Sequence, residues 1–382
     1  MIEGYRRPNG GFGIRNYIAI IPSVICSSIT ASHIAEQIPH AIALTHHTGC
    51  STAGDDLEKV KRSLVGLGKN PNVGGALVIG LGCEQVDPYE VTDAIKESGK
   101  IAKTLVIQEE GGIVPTIKKG VETARDISVK LSREEKVTGE AEELTLAIEC
   151  GGSDTTSGIA ANPAIGHASD LLIEKGGTTI VSETAELIGG EHILVKKADD
   201  KKTADKLIKI VTEVEKVYST RRKGTGSLSQ GNIEGGITTL EEKSLGCICK
   251  AGSASVKEVV RYGEKPSKKG LIIMDTPGFD VHSMTGMVAG GAQIIAFTTG
   301  RGSTVGFPIA PVIKITGNPR TYGKMKDEMD FNAGTIILGK KTIQEVGEEI
   351  FQKIIRVANG EKTKSEALGL EEFAISSLAG SK

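Results

Sequence analysis

Tryptophan is absent from this 382-residue chain, and aromatic residues make up 3% of it. Its cores must therefore be aliphatic, built from side chains without the polar handles of Trp and Tyr. An excess of one charge sign is also missing: 46 Lys and Arg stand against 48 Asp and Glu, a formal net charge of -2. That balance excludes a dedicated nucleic-acid binder, whose footprint is a basic excess. No charge-free apolar run approaches the ~18 residues of a spanning helix. Met1-Ile2-Glu3-Gly4-Tyr5-Arg6-Arg7 lacks the apolar stretch of a signal peptide. A soluble, cytoplasmic protein with neither a membrane nor a nucleic-acid partner is expected.

Several motifs are missing as well. None of the six Cys forms the Cys-x2-Cys of a zinc knuckle, and without an export signal they read as reduced thiols or metal ligands. Where a nicotinamide-binding oxidoreductase would carry Gly-x-Gly-x-x-Gly, the chain has Pro22-Ser23-Val24-Ile25-Cys26. Thr299-Gly300-Arg301-Gly302-Ser303-Thr304 lacks the Gly-Lys-Ser/Thr ending of a P-loop, which argues against ATP. Acidic residues between Met325 and Gly334 do not have EF-hand spacing.

Glycine is what the chain has in excess, 49 of 382 residues against a usual ~7%. The glycines cluster at the ends of apolar runs, where they permit tight strand-to-helix loops around a ligand. The runs alternate with helical patterns. Tyr17–Ile21, Ala41–Leu44, Ala76–Ile79 and Lys103–Ile107 read as strands, and the segments starting at Ser28, Asp55 (a candidate N-cap), Val91 and Val114 read as helices. A Glu/Lys-rich stretch over 132–143 reads as a linker. The pattern then restarts with strands at Leu144–Ile148, Thr178–Val181, Gly270–Met274, Ile294–Phe297 and Val312–Ile315, helices starting at Pro163, Lys201 and Thr342, and a loop over 224–236. Such alternation predicts an α/β fold of two Rossmann-like or flavodoxin-like parallel-sheet domains, 1–135 and 140–382. Ligands in such sheets bind beyond the carboxyl ends of strands, here between the two domains.

The unusual residues sit at those ends. His47 and Cys50, Cys83 and Glu84, and Cys150 each follow a strand. Thiolates and imidazole suit iron, and three Cys with one open position would let a substrate oxygen bind the metal. The alternative is small buried thiols packed beside glycine. Glu183, Glu186 and Glu191 concentrate carboxylates after another strand, as acid, base or cation ligands, or as ordinary helix N-terminal acids. Arg301 between Gly300 and Gly302 offers a guanidinium and backbone N–H groups to a carboxylate or phosphate, with Lys314 and Asn318 as further donors. Gln230, Asn232 and Asp275 are polar candidates for substrate contacts, and His282 is a candidate base beside His47 and Glu183.

In order along the chain, His47-Thr48-Gly49-Cys50, Gly80-Leu81-Gly82-Cys83-Glu84, Cys150-Gly151-Gly152-Ser153-Asp154, Asn162-Pro163-Ala164, Glu183–Gly190, Asp275-Thr276-Pro277-Gly278, Gly300-Arg301-Gly302 and Asp330–Gly334 resemble the large catalytic domain of altronate and galactarate dehydratases. That group also includes the large subunit of sulfolactate sulfo-lyase. The resemblance implies an iron-dependent lyase that removes water from a sugar acid to give a 2-keto-3-deoxy acid. It implies Fe2+ or a four-iron cluster held by Cys50, Cys83 and Cys150, with His47 or Glu84 assisting a mononuclear ion, and Asn162 among the substrate contacts. Serine at both Cys50 and Cys83 is then expected to abolish iron and turnover. Relatives also carry a small antifreeze-like domain before this region, so a separate small subunit is expected, together with homo-oligomerisation. A sulfo-lyase, and a sensor that binds a sugar acid or iron without reaction, are the alternatives.

Overall fold

A computed structural model describes residues 1–221 and 228–377, with the backbone alone for 218–221. The strands are β1 (Ile2–Arg6), β2 (Phe12–Gly13), β3 (Tyr17–Pro22), β4 (Ala41–Ala43), β5 (Val73–Gly80), β6 (Ile101–Val106), β7 (Val137–Gly139), β8 (Thr145–Cys150), β9 (Thr178–Val181), β10 (Val256–Val260), β11 (Gly270–Met274), β12 (Ile294–Thr299), β13 (Val312–Thr316) and β14 (Phe331–Asn332). Two parallel sheets carry the fold, as the alternating pattern predicts. One has the order β4-β3-β5-β6 and the other β10-β11-β9-β8-β12-β13-β14. Val73-Gly-Gly-Ala-Leu-Val-Ile-Gly80 is buried along its whole length, as a strand covered on both faces must be.

Helices Ser28–Ala35 and Ile113–Leu131 cover one face of the four-stranded sheet through Ala31, Ile34, Ala124 and Ile127. Helices Gly54–Lys69 and Pro88–Lys96 cover the other, and their Val60, Leu64, Leu67 and Ile95 share one core with Met284 and Met287 of the helix Asp280–Ala289 and with Ile272 and Phe297 of the larger sheet. Gly66 makes this contact possible, because a Cβ there would stand 2.3 Å from the Ala289 carbonyl oxygen. Polar groups lock the same seam. Asn70 Nδ2 donates to the carbonyls of Val288 and Ala292 at 2.8 and 2.9 Å, and Asn72 Nδ2 to those of Gln293 and Ile309 at 2.9 Å each.

Some details depart from the sequence reading. Within the 132–143 stretch, β7 pairs antiparallel with β1 in a three-stranded sheet β2-β1-β7, because a free edge of β1 is better paired than solvated. Asp55 lies inside the first helical turn rather than capping it, and Ala53 is the cap without a side-chain bond. Of the loop expected over 224–236, residues 224–227 lie outside the described residues, while Gln230–Glu234 forms a helical turn capped by Ser229.

The topology fixes where a ligand belongs. From β8 the chain moves to β9 and on to β10 and β11 on one side, then crosses back to β12 on the other. The loops after β9 and β12 therefore diverge, opening a crevice at the carboxyl end of β8.

Candidate active site

Glu149 and Cys150 end β8, Glu183 follows β9, and Asp280 opens the helix Asp280–Ala289 that follows β11. A fourth element, the helix Leu240–Ile248, brings Lys243 and Cys247 and leads through a short turn to Lys250. Gly151 lets Asp280 approach the end of β8: a Cβ there would lie 2.1 Å from Asp280 Oδ2.

Glu149 is fully buried, and its Oε2 accepts from Ser283 Oγ at 2.6 Å and Ser182 Oγ at 3.4 Å. Its Oε1 is buried with no hydrogen-bond partner. Glu183 is left-handed, with φ +67°, a conformation that costs a non-glycine residue roughly 1 kcal/mol or more. Thr276 holds it there, since Glu183 N donates to Thr276 Oγ1 at 2.8 Å. Lys250, also fully buried, donates to Glu186 Oε2 at 2.8 Å and Glu183 Oε2 at 3.2 Å. Lys243 Nζ lies 3.4 Å from Glu186 Oε1.

Burial and these neighbours divide the protons unequally. Burial pushes the Glu149 carboxyl up to about 7. Burial, then the Glu149 and Glu186 carboxylates, hold Glu183 well above the usual carboxylate range. Against the same burial cost, Lys250 and Lys243 pull Glu186 down to about 2. Lys250 stays charged because Glu186 and Glu183 outweigh its own desolvation. The Cys247 thiol donates to Cys150, which lowers the Cys150 thiol to about 6 despite burial.

One oxygen from each of Glu149, Glu183 and Asp280 lies within 4.8 Å of the others. Three carboxylate oxygens so placed fit a hard divalent cation. Along the helix Leu240–Ile248 a cavity of about 300 Å³ is lined by Ser153, Asp154, Asn162, Lys243, Gly246 and Cys247, among others.

The residues expected from sequence fall into three groups. Glu183 is central, and His282 stands two residues beyond Asp280 with its ring edge-on to Phe279 at 4.8 Å. Burial, then His47 after β4 and Lys59 of the helix Gly54–Lys69, lower the His282 pKa.

The metal ligands expected on cysteine do not assemble. Cys50 and Cys83 are exposed on the four-stranded sheet, whereas Cys150 is buried in the larger one. Among the described residues, convergence within 4.8 Å belongs to the Glu149, Glu183 and Asp280 set. The Cys150 sulfur is taken up by Cys247, Ser153 and Asn162. The Glu84 carboxylate is taken up by Ser23 Oγ and the N–H groups of Leu81, Gly82 and Cys83. A cluster on Cys50, Cys83 and Cys150 is corrected accordingly.

Most of the expected substrate contacts are engaged internally. The N–H groups of Gly300 and Arg301 donate to Gly152 O, and that of Gly302 to Thr299 Oγ1. Arg301 itself is exposed and paired with Glu234 at 2.9 Å. Asn162 and Asn232 are buried, bonded to Gly246 O and Ser153 O respectively, and Asn318 Nδ2 donates to Asp154 Oδ2. Gln230 is exposed near Glu234, and Asp275 accepts from Thr184 Oγ1. Lys314 is fully buried, and its Nζ has no hydrogen-bond partner among the described residues. Burial lowers the Lys314 pKa, and the Asp330, Glu372 and Glu328 carboxylates act in the opposite direction.

His46, beside the crevice, is structural. Its Nε2 donates to Pro22 O at 2.7 Å while Nδ1 accepts from Thr48 N at 3.2 Å, so both ring nitrogens are used by the neutral form. Burial lowers its pKa to about 4. The unfolded chain then takes up this proton first, and stability falls as the pH drops from about 6.5 towards 4. The loss expected in acid denaturation is on the order of 3 kcal/mol. His46→Gln should flatten that part of the pH profile.

Glu149, Asp280 and Lys250 were not singled out from sequence. The one local signal was a carboxylate in the last turn of an apolar strand, Leu146-Ala147-Ile148-Glu149.

Residues 141–380 match the family model described as D-galactarate/Altronate dehydratase, C-terminal, and residues 4–132 that described as D-galactarate dehydratase/Altronate hydrolase, second domain. An altronate dehydratase of Bacillus subtilis (strain 168) is 33% identical over 98% of this chain and 77% of its own length. A (2R)-sulfolactate sulfo-lyase subunit beta of Chromohalobacter salexigens is 36% identical over 98% of this chain and 97% of its own. A galactarate dehydratase (L-threo-forming) of Escherichia coli (strain K12) is 34% identical over 96% and 75%.

Proposed function

The chain belongs to the D-galactarate/altronate dehydratase family and is an enzyme of the lyase class, and from that premise we propose that it removes water from a sugar acid to give a 2-keto-3-deoxy acid. The observation that carries this reading is the convergence of Glu149, Glu183 and Asp280 at the divergence of the loops around β8. We assign the family's iron to these three carboxylates rather than to the cysteines. When bound, a divalent ion there supplies Lewis-acid polarisation of a substrate oxygen.

The chain's own groups do the rest. The proton α to the substrate carboxylate is weakly acidic, so a neutral base is needed close by. His282, kept neutral by burial and by its cationic neighbours, takes it. His47, which follows β4 of the other sheet, returns a proton to the departing 3-hydroxyl. The resulting enol tautomerises to the keto acid. Arg301 and Lys314 are the cationic donors for the carboxylate. Lys250 acts through Glu183, holding its oxygen in place.

The test is turnover of altronate, galactarate and related 2,3-dihydroxy acids by protein loaded anaerobically with Fe2+ or Mn2+. Keto-acid formation that His282→Asn lowers by about 100-fold or more supports the reading. Binding without consumption would favour the sensor. One observation supports a second reading: the sulfo-lyase subunit is matched over 97% of its length. Sulfite release from sulfolactate distinguishes it. That relative is by name one subunit of a larger enzyme, which supports an assembly with a second, small chain.

Cys50→Ser combined with Cys83→Ser is expected to keep the bound metal and most activity, because both thiols are exposed on the other sheet. Metal analysis of the double variant checks this.

A further inference from the structure

Asn162 joins the end of β8 to the helix Leu240–Ile248, which carry two thiols that the proposed reaction does not use. Its Nδ2 donates to Cys150 Sγ at 3.5 Å and to Gly246 O at 3.0 Å, while its Oδ1 accepts from Thr298 Oγ1 at 2.6 Å. One amide thus holds the end of β8 against the residue before Cys247. Cys247 follows Gly246 directly, so this bridge sets its buried side chain beside that of Cys150, and both thiols are buried and free. The helix bearing Cys247 comes in closely because Gly246 faces Gly158, where a Cβ on either would stand 3.1 Å from the other's Cα. The cavity of about 300 Å³ is lined by Cys247 together with Asp154 and Ser157, so a small peroxide meets the Cys247 sulfur first.

We propose that Cys150 and Cys247 form a dithiol site that hydroperoxides oxidise to a disulfide, and that the disulfide disables the neighbouring active site. In the first step the peroxide O–O bond breaks, one sulfur gains a hydroxyl as a sulfenic acid, and the other peroxide oxygen leaves as water or an alcohol. In the second, the remaining sulfur attacks that sulfenyl sulfur, the S–S bond forms, the S–O bond breaks and water leaves. Two electrons pass from the sulfurs to the peroxide, and both thiol protons end on the released oxygens. A thiol–thiol contact must contract to about 2.05 Å to become a disulfide. That contraction pulls on the helix Leu240–Ile248, which carries Lys243 onto Glu186 and leads to Lys250 on Glu183 and Glu186. The disabling effect rests on the proposed function, whereas the cross-link does not.

The experiment uses Mn2+-loaded protein, so that ferrous iron is not oxidised in parallel, titrated with hydrogen peroxide. Remaining thiols are alkylated and the peptides mapped. A Cys150–Cys247 linked peptide is expected to accumulate in step with loss of turnover, and dithiothreitol should reverse both. Cys247→Ser should stay active through the same treatment. Cys249→Ser, altering the exposed thiol two residues on, should behave as the unaltered chain does. If Cys247→Ser does not fold, mapping of the unaltered chain decides. Inactivation without that linked peptide overturns the proposal, as does a linked enzyme that remains fully active. If no sugar acid is turned over, the reading of function fails, and the linked peptide still reports on the dithiol.

Discussion

Lys250→Met should lower turnover by about 100-fold and destabilise the fold by about 3–5 kcal/mol. The ammonium is fully buried and bonded to two carboxylates, Glu183 and Glu186. Methionine fills the volume but leaves the Glu186 carboxylate with Lys243 alone and takes the ammonium hydrogen bond away from Glu183. Removing one partner of a buried ion pair strands the other in a medium that cannot solvate it, and that cost exceeds the original net gain of the pair. Glu183 would then be held in its left-handed conformation by Thr276 alone, and its carboxyl would be free to turn away from Glu149. A displacement of about 1 Å at such a site is enough for the loss of rate.

A second substitution separates stability from positioning. Lys250→Met with Glu186→Gln removes one stranded charge and should regain part of the stability measured by denaturant unfolding, without regaining turnover. Lys250→Arg keeps the charge and should retain more turnover than Met, because the positioning contact to Glu183 survives in altered form. Equal losses for Met and Arg would show that only the exact volume matters, and would remove Lys250 from the positioning role. Independent energies for the single and double variants would show that Lys250 and Glu186 are not coupled.

The fold was legible where burial on both faces forced a simple pattern. Tyr17–Pro22, Val73–Gly80 and Gly270–Met274 are continuous apolar runs and all are central strands. Val256-Lys-Glu-Val-Val260 was not, because an edge strand tolerates the Lys and Glu that break such a run. The crevice was legible as well, since parallel strands put their carboxyl ends on one side. The residues that fill it were less so. Cys50, Cys83 and Cys150 look alike in sequence, each at a strand end beside glycine, yet they stand on two different sheets. Lys250 lies 64 and 67 residues from the carboxylates it holds, a separation that leaves no local signature. Gly300-Arg301-Gly302 shows the converse: a loop whose composition suits an anion spends its N–H groups on Gly152 and Thr299.

Affinity for a divalent ion should fall steeply as the pH drops below about 7, by at least about tenfold per unit. A carboxyl group must lose its proton to ligate, so each proton displaced on binding adds one power of ten per pH unit. Burial holds Glu183 protonated well above the usual carboxylate range and brings Glu149 to about 7. Near neutral pH the ion therefore displaces at least one proton from this pair. Above the range where both are ionised, the affinity should level off. Titration calorimetry with Mn2+ in buffers of different ionisation enthalpy reads the released protons directly. Glu149→Gln removes an ionisable ligand, so it should weaken binding and also reduce the number of protons released. A chelator should abolish turnover, and Mn2+ or Fe2+ should restore it. Flat affinity between pH 6 and 8, with no proton release, would mean that the ion is held elsewhere than on Glu149, Glu183 and Asp280. The exposed cysteines of the smaller sheet would be the next place to look, and the Cys50 and Cys83 double variant would then lose its metal where the present reading has it retained.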